Sequence, residues 1–145
     1  MEDLDRQIIE LLSTDSGMSY PDLGKATGLA TSAVHQRVRR LEQRGLIKGY
    51  RAALDAKALG LPLTAFVSIT PMDPAQPDDA PARLAHLPEI EECYSVAGVE
   101  SYILKVRVAS PDALEGLLAA IRKAANVTTR TTVVLSTFYE DRPPI

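Results

Sequence analysis

The chain has 145 residues, 46% of them hydrophobic, enough to bury the core of one large domain or two small ones and too many for a disordered tail. No apolar run reaches the roughly 18 residues that would span a bilayer. The opening Met1-Glu2-Asp3-Leu4-Asp5 is acidic where a secretory leader is basic and then apolar, so a cytoplasmic location is expected. The single cysteine, Cys93, excludes an internal disulfide and a zinc site built on paired thiolates, and reads as a small buried hydrophobe on a strand.

A net charge of −3 argues at first against a nucleic-acid partner, because phosphate binding is driven mainly by positive charge. The distribution reverses that. Eight Lys and Arg stand against seven Asp and Glu in residues 1–51, and eight against twelve in residues 52–145. Within residues 35–51, Arg37, Arg39, Arg40, Arg44, Lys48 and Arg51 are opposed only by Glu42, a local basic footprint on an acidic chain.

From Asp3, the apolar Leu4, Ile8, Leu11 and Leu12 recur at helical spacing until the polar stretch 13–17, which predicts a first helix. Ser19 is positioned as an N-cap for a second, short helix with Pro21 in its first turn, running to about Thr27 and ended by Gly28. A third helix over roughly residues 31–44 carries Val34, Val38 and Leu41 on one stripe and stops at Gly45. Two short helices joined by a glycine-containing turn, the second of them basic, spell a helix-turn-helix. Advancing about 100° per residue, the side opposite the apolar stripe holds Ser32, Gln36, Arg39 and Gln43, flanked by His35 and Arg40.

In a major groove Arg39 suits guanine and Gln36 suits adenine. Thr31 and Ser32, at the helix start, suit a base edge or a phosphate. Arg40, Arg44 and Lys48 are placed for phosphates, which position a helix without reading sequence. Arg37 projects toward the edge of the buried stripe and has two readings, a phosphate contact or an ion pair with a first-helix acid such as Asp5. His35 has no His, Cys or Asp one turn away and is not a metal ligand, and no metal site is expected anywhere in the chain.

Residues 46–54 read as a strand leading out of this motif, and residues 55–60 as one capped helical turn closed by Gly60. The expected division is a DNA-binding domain over 1–50, a strand and hinge over 51–62, and a second domain over 63–145. In that second domain, residues 63–70 form a strand with Leu63, Ala65, Val67 and Ile69 on one face. A helix starts at Asp78-Asp79-Ala80-Pro81, with Ala80, Leu84 and Leu87 inward. Strands over 90–96 and 101–108 form a hairpin around residues 97–100. Ser110 caps a helix with Leu114, Leu117, Leu118, Ile121 and Ala125 on one side, and a last strand covers 127–139.

The order βαββαβ matches a ferredoxin-like split βαβ, an α+β fold with two helices on one face of an antiparallel sheet. The other face should carry Phe66, Ile103, Val134 and Phe138, an apolar patch that predicts a homodimer with stacked sheets. Two-fold symmetry would let paired helix-turn-helix motifs read half-sites ~34 Å apart or a multiple of that. No enzyme is expected: Ser95, Ser101, Cys93, His35 and His86 have no nucleophile–base spacing, and no phosphate-binding glycine loop is present.

Read in order, Leu4-Asp5-x-x-Ile8, Val34-x-x-Arg37-Val38-x-x-Leu41-Glu42, Gly45-Leu46-Ile47-x-Gly49-Tyr50 and Gly98-x-Glu100-Ser101-Tyr102 resemble the feast/famine, or Lrp/AsnC, family of transcriptional regulators over nearly the whole chain. The resemblance implies a winged helix-turn-helix on double-stranded DNA. It also implies dimers that assemble into octamers, no cofactor, and an amino acid or related metabolite as effector. It places the effector at Gly98, Val99, Glu100, Ser101 and Tyr102, with Thr129 and Thr131 as neighbours on the last strand. A glycine-bearing turn exposes backbone N–H groups to a carboxylate, and Glu100, one methylene longer than the family's usual Asp, suits an ammonium. Ala30 stands where the family has a Ser cap, so Thr31 or Ser32 is expected to cap the third helix. Gly24 replaces an Ala at ~1 kcal/mol, and Met18 replaces a basic residue. The competing reading is an architectural DNA-binding protein without an effector.

Overall fold

A computed structural model describes residues 1–145. The chain divides into two compact units, Met1–Ala53 with Tyr139–Ile145, and Leu54–Phe138.

In the first unit, α1 spans Asp3–Thr14, α2 Tyr20–Thr27 and α3 Thr31–Gln43. Each buries one stripe. Ile8, Leu23, Val34, Val38 and Leu41 form the core, with Leu12, Leu29 and Ile47 packed around it. Met18, standing where the resembled family often has a basic residue, is half-buried against this core and fills space instead of meeting a phosphate. Ser19 caps α2 by accepting the Asp22 N–H at 3.2 Å. Gly28 ends that helix with φ 77°, a left-handed conformation that costs glycine nothing. At Gly24 the sequence suggested only a loss of helix propensity. A Cβ there would lie 2.6 Å from the Leu29 carbonyl oxygen, so glycine is what lets the turn close tightly between the two helices. The Gly24 carbonyl accepts from both Gly28 and Leu29 N–H, at 2.8 and 3.1 Å.

The strand expected over residues 46–54 does not form. Leu46 and Ile47 N–H both bond the Leu41 carbonyl, at 3.0 and 3.2 Å, and residues 48–55 then form no regular secondary structure. A strand needs a neighbour to satisfy its N–H and C=O groups, and this chain pairs no segment with it. Residues 55–60 do make the capped turn: Asp55 Oδ1 accepts from Lys57 and Ala58 N–H, and Gly60 closes it at φ 80°.

The second unit runs β1 (Leu63–Pro71), α4 (Ala80–Leu84), β2 (Ile90–Ser95), β3 (Tyr102–Val108), α5 (Pro111–Ala125) and β4 (Val127–Val133). All pairs are antiparallel and the order is β2-β3-β1-β4, the ferredoxin-like arrangement expected from the element order. Ala65, Val67, Ile69, Leu104, Val106 and Val127 meet Leu84, Leu117, Ile121 and Ala125 of the helices in one core. Ser110 caps α5 through the Ala113 N–H at 3.1 Å.

Three expectations for this unit are corrected. β4 ends at Val133, six residues short of the predicted 139. Its partner β1 begins at Leu63, so after Val133 pairs with Ala65 and Val134 N–H bonds the Thr64 carbonyl at 2.9 Å, no strand is left to continue the ladder. Cys93 is exposed, because it lies on the edge strand β2, and partial burial raises its thiol pKa. The uncovered face of the sheet is not a plain apolar patch. Phe66 is exposed and Ile103 half-buried, but Lys105 is buried opposite Phe66. Arg107 Nε donates to Glu91 at 2.6 Å and Nη1 to Thr64 at 3.2 Å.

Candidate DNA interface and effector site

The first-unit core fixes which way α3 faces. Val34, Val38 and Leu41 are buried, while Thr31, Ser32, His35, Gln36, Arg39, Arg40 and Gln43 are exposed along the opposite side, followed by exposed Arg44 and Lys48. The stripe-and-face division inferred from helical periodicity is therefore present in three dimensions. Neither Thr31 nor Ser32 caps α3: Ala30 is the N-cap residue and supplies no side-chain bond. Helix N-termini leave backbone N–H groups unsatisfied and carry partial positive charge, so this end suits a phosphate, with the two hydroxyls beside it.

Arg37 resolves toward the ion pair. Its Nη1 donates to Glu2 Oε2 at 2.8 Å and to Asp5 Oδ1 at 3.0 Å, and its side chain is mostly withdrawn from solvent. Those two hydrogen bonds raise the guanidinium pKa further. They lock α3 onto α1, which makes Arg37 a brace for the reading helix instead of a cation directed outward. Two contacts not foreseen from the sequence brace it too. Tyr20 meets the His35 ring edge-on at 5.2 Å between centroids. Tyr50 lies beside Glu42 near the end of α3, and its partial burial, followed by the Glu42 carboxylate, raises its phenol pKa. A cleft of ≈ 750 Å³ in this unit, lined by Ile9, Leu12, Tyr50 and Ile145, contains Lys48 and none of the other residues expected on DNA.

In the second unit, residues 96–101 connect β2 to β3. Val96 N–H bonds the Ser101 carbonyl at 3.1 Å, and Ser101 N–H bonds the Ile69 carbonyl at 3.0 Å, so the turn is pinned at both ends. Val99 at its tip is 91% exposed. Tyr102 is buried toward the helices, and its hydroxyl donates to Asp78, just ahead of α4. That bond, reinforced by burial, pushes the phenol pKa up to about 12.

Gly98 sits in this turn without a steric or torsional demand for glycine. Its φ is not in the left-handed region, and a Cβ built on it would meet nothing within 4 Å. Neither backbone torsion nor packing in this chain requires glycine there.

The structure divides the last-strand residues differently from the sequence reading. Thr129 and Thr131 pair with Ile69 and Val67 and so lie on the helix-covered side, where Thr129 Oγ1 accepts from Arg122 at 3.1 Å. The β4 side chain that reaches the turn is Arg130, whose Nη1 lies 3.3 Å from Glu100 Oε1. Strand parity was the available clue, since residues 129 and 131 share a face that 130 does not.

Two family models cover the chain: the Lrp/AsnC ligand binding domain over residues 64–144 and a winged helix-turn-helix DNA-binding domain over residues 1–48. The chain belongs to the Lrp/AsnC family. Among Lrp/AsnC relatives, it is 55% identical to the HTH-type transcriptional regulator LrpA of Mycobacterium tuberculosis, over 100% of this chain and 97% of that protein. It is similar to a solved structure of the feast or famine regulatory protein of M. tuberculosis complexed with L-methionine, with 56% identity, TM-score 0.95, and 98% and 97% of the two chains covered. Against the AsnC structure from E. coli the identity is 30% and the TM-score 0.88, over 99% and 97%. This Lrp/AsnC protein is thus a transcriptional regulator with a helix-turn-helix DNA-binding domain and a ligand-binding domain of ferredoxin-like fold. No helix is long and apolar enough to cross a membrane.

Proposed function

We propose that this regulator reads operator DNA with the outward face of α3 and changes its occupancy of that DNA when a free amino acid binds at the 98–102 turn. Arg39 and Gln36 read bases; Ser32, Arg40, Arg44 and Lys48 hold phosphates, and Arg37 braces the helix from behind. The setting is the cytoplasm, where chromosome and amino-acid pool meet.

One observation carries the effector half of this reading. Gly98 is a glycine that the fold does not need, in a pinned, exposed turn beside a carboxylate. A bare backbone at that point gives a ligand carboxylate access to N–H groups that any side chain would screen. That a relative was solved with L-methionine makes amino acids the class to test first.

A homodimer supports both halves. The uncovered sheet face mixes Phe66 and Ile103 with charged groups that a second copy can complement, and symmetry pairs two reading helices. Assembly of dimers into an octamer would set effector turns of neighbouring copies close together. Sedimentation of a monomer at micromolar concentration would remove this part.

Titration calorimetry of the full-length protein with L-methionine and the other common amino acids tests the whole reading. Saturable heat, together with a shift in operator affinity at saturating ligand, is the expected result. Operator binding with no heat from any amino acid would replace the regulator-with-effector by the architectural alternative.

A further inference from the structure

We propose that Arg130 and Glu100 form a two-ended recognition pair, with Glu100 taking the ammonium of a free amino acid and Arg130 its carboxylate, so that only a zwitterion satisfies both. This rests on the reading of the 98–102 turn as the effector site.

Register brings the two together. Ser68 on the central strand β1 lies opposite Ile103 on one side and Arg130 on the other, placing Arg130 on the face away from the helices and across β1 from the start of β3. The members of the pair differ in freedom. The Glu100 side chain is 23% exposed and sits in a turn pinned by two backbone hydrogen bonds, whereas the Arg130 side chain is 80% exposed. Glu100 is the fixed member and Arg130 the movable one.

Their contact is a single Nη1–Oε1 approach at 3.3 Å, not the bidentate fork that arginine and a carboxylate form when locked. An ion pair this exposed contributes little to stability, so a competing cation exchanges with it readily. A ligand ammonium arriving at Glu100 displaces the guanidinium. The released guanidinium, with five N–H donors on a long stem, then has within reach the same ligand carboxylate to which the backbone N–H groups at Gly98 donate, and adds a charged partner to it. A ligand without the carboxylate leaves Arg130 in water, and one without the ammonium meets the uncompensated charge of Glu100. Selection of both charged ends follows from one pre-existing contact.

The test is calorimetry of the full-length protein with three probes: L-methionine, L-methioninol, which lacks the carboxylate, and 4-(methylthio)butanoate, which lacks the ammonium. The unaltered protein should bind L-methionine at least about tenfold more tightly than either, since a charged hydrogen-bonded partner is worth about that factor. Arg130→Gln should weaken L-methionine about tenfold and leave L-methioninol unchanged, collapsing their ratio toward one, and Arg130→Lys should restore part of it. The exposure of Arg130 keeps these variants folded, which their thermal melts verify. Arg130→Gln shifting L-methionine and L-methioninol in step, or shifting neither, would overturn the proposal and leave the turn as effector site untouched. If Gly98→Ala and Glu100→Gln both left L-methionine binding intact, the site itself would be elsewhere and both readings would fall.

Discussion

In α3 the residues that hold the fold and those that face outward occupy opposite sides of one helix, whereas at the β2–β3 turn the chemistry is assembled from strands far apart in the chain. Val34, Val38 and Leu41 are buried, and His35, Gln36, Arg39 and Arg40 project away from them in the same thirteen residues. At the turn, Glu100 meets Arg130 because β3 and β4 both lie against β1, and Tyr102 meets Asp78 from the segment ahead of α4. The first kind of site is tolerant, since its scaffold and its contacts can be changed separately. The second depends on register, where one residue's shift reverses every side chain.

The sharpest separation is between the two sides of α3. Leu41 is 1% exposed, and Leu41→Ala should destabilise the first unit by about 2–5 kcal/mol. In chemical denaturation the transition of that unit should move while that of the sheet unit stays. Coincident movement of both would show that the units do not unfold independently. On the other side, Arg39→Ala should leave stability unchanged and reduce discrimination between operator and altered operator by about 1–3 kcal/mol. Lys48→Ala should instead weaken all duplexes alike and lower the salt slope by about one. Footprinting across a salt series decides between the roles. Equal, sequence-independent losses from the two variants would remove Arg39 from the base-reading set.

What was legible in the sequence follows the same division. Helical stripes, caps at Ser19 and Ser110 and the βαββαβ order are local or periodic features, and each appears in the structure. Features set by a neighbour were not legible. The extent of β4 depends on where β1 begins. The 46–54 segment fails to become a strand because nothing pairs with it, and Cys93 is exposed because β2 lies at the sheet edge. Arg37 was legible as two alternatives, and only the approach of Glu2 and Asp5 chose between them. Thr129 and Thr131 were placed beside the turn by the family resemblance, but the contact to Glu100 is made by the residue between them, on the opposite face.

The turn can be probed through its buried anchor. A tyrosine in an unfolded chain ionises near pH 10, while Tyr102 is held protonated to about 12, first by its bond to Asp78 and then by burial. The folded state therefore binds this proton more tightly than the unfolded state. The stabilisation is complete below about pH 10 and is lost as the pH rises toward 12. Ultraviolet titration should show one of the five tyrosines ionising last, and Tyr102→Phe should abolish that step. Persistence of the late step in the variant would assign it to another phenol.

The smallest effect expected is also the one that bears most directly on why the turn carries a glycine. Because Gly98 has an ordinary torsion and open space around it, alanine fits without strain, and its narrower unfolded ensemble should raise stability by about 0.4–1 kcal/mol. A glycine required by the turn would give the opposite sign. The added methyl group nevertheless covers the backbone that a ligand carboxylate would approach, so L-methionine affinity should fall as stability rises. Thermal melts and calorimetry on the one variant measure both quantities. Opposite signs mark a residue kept for binding at the expense of stability, whereas a loss of both would return Gly98 to the scaffold and make the turn resemble α3's buried stripe more than its outward face.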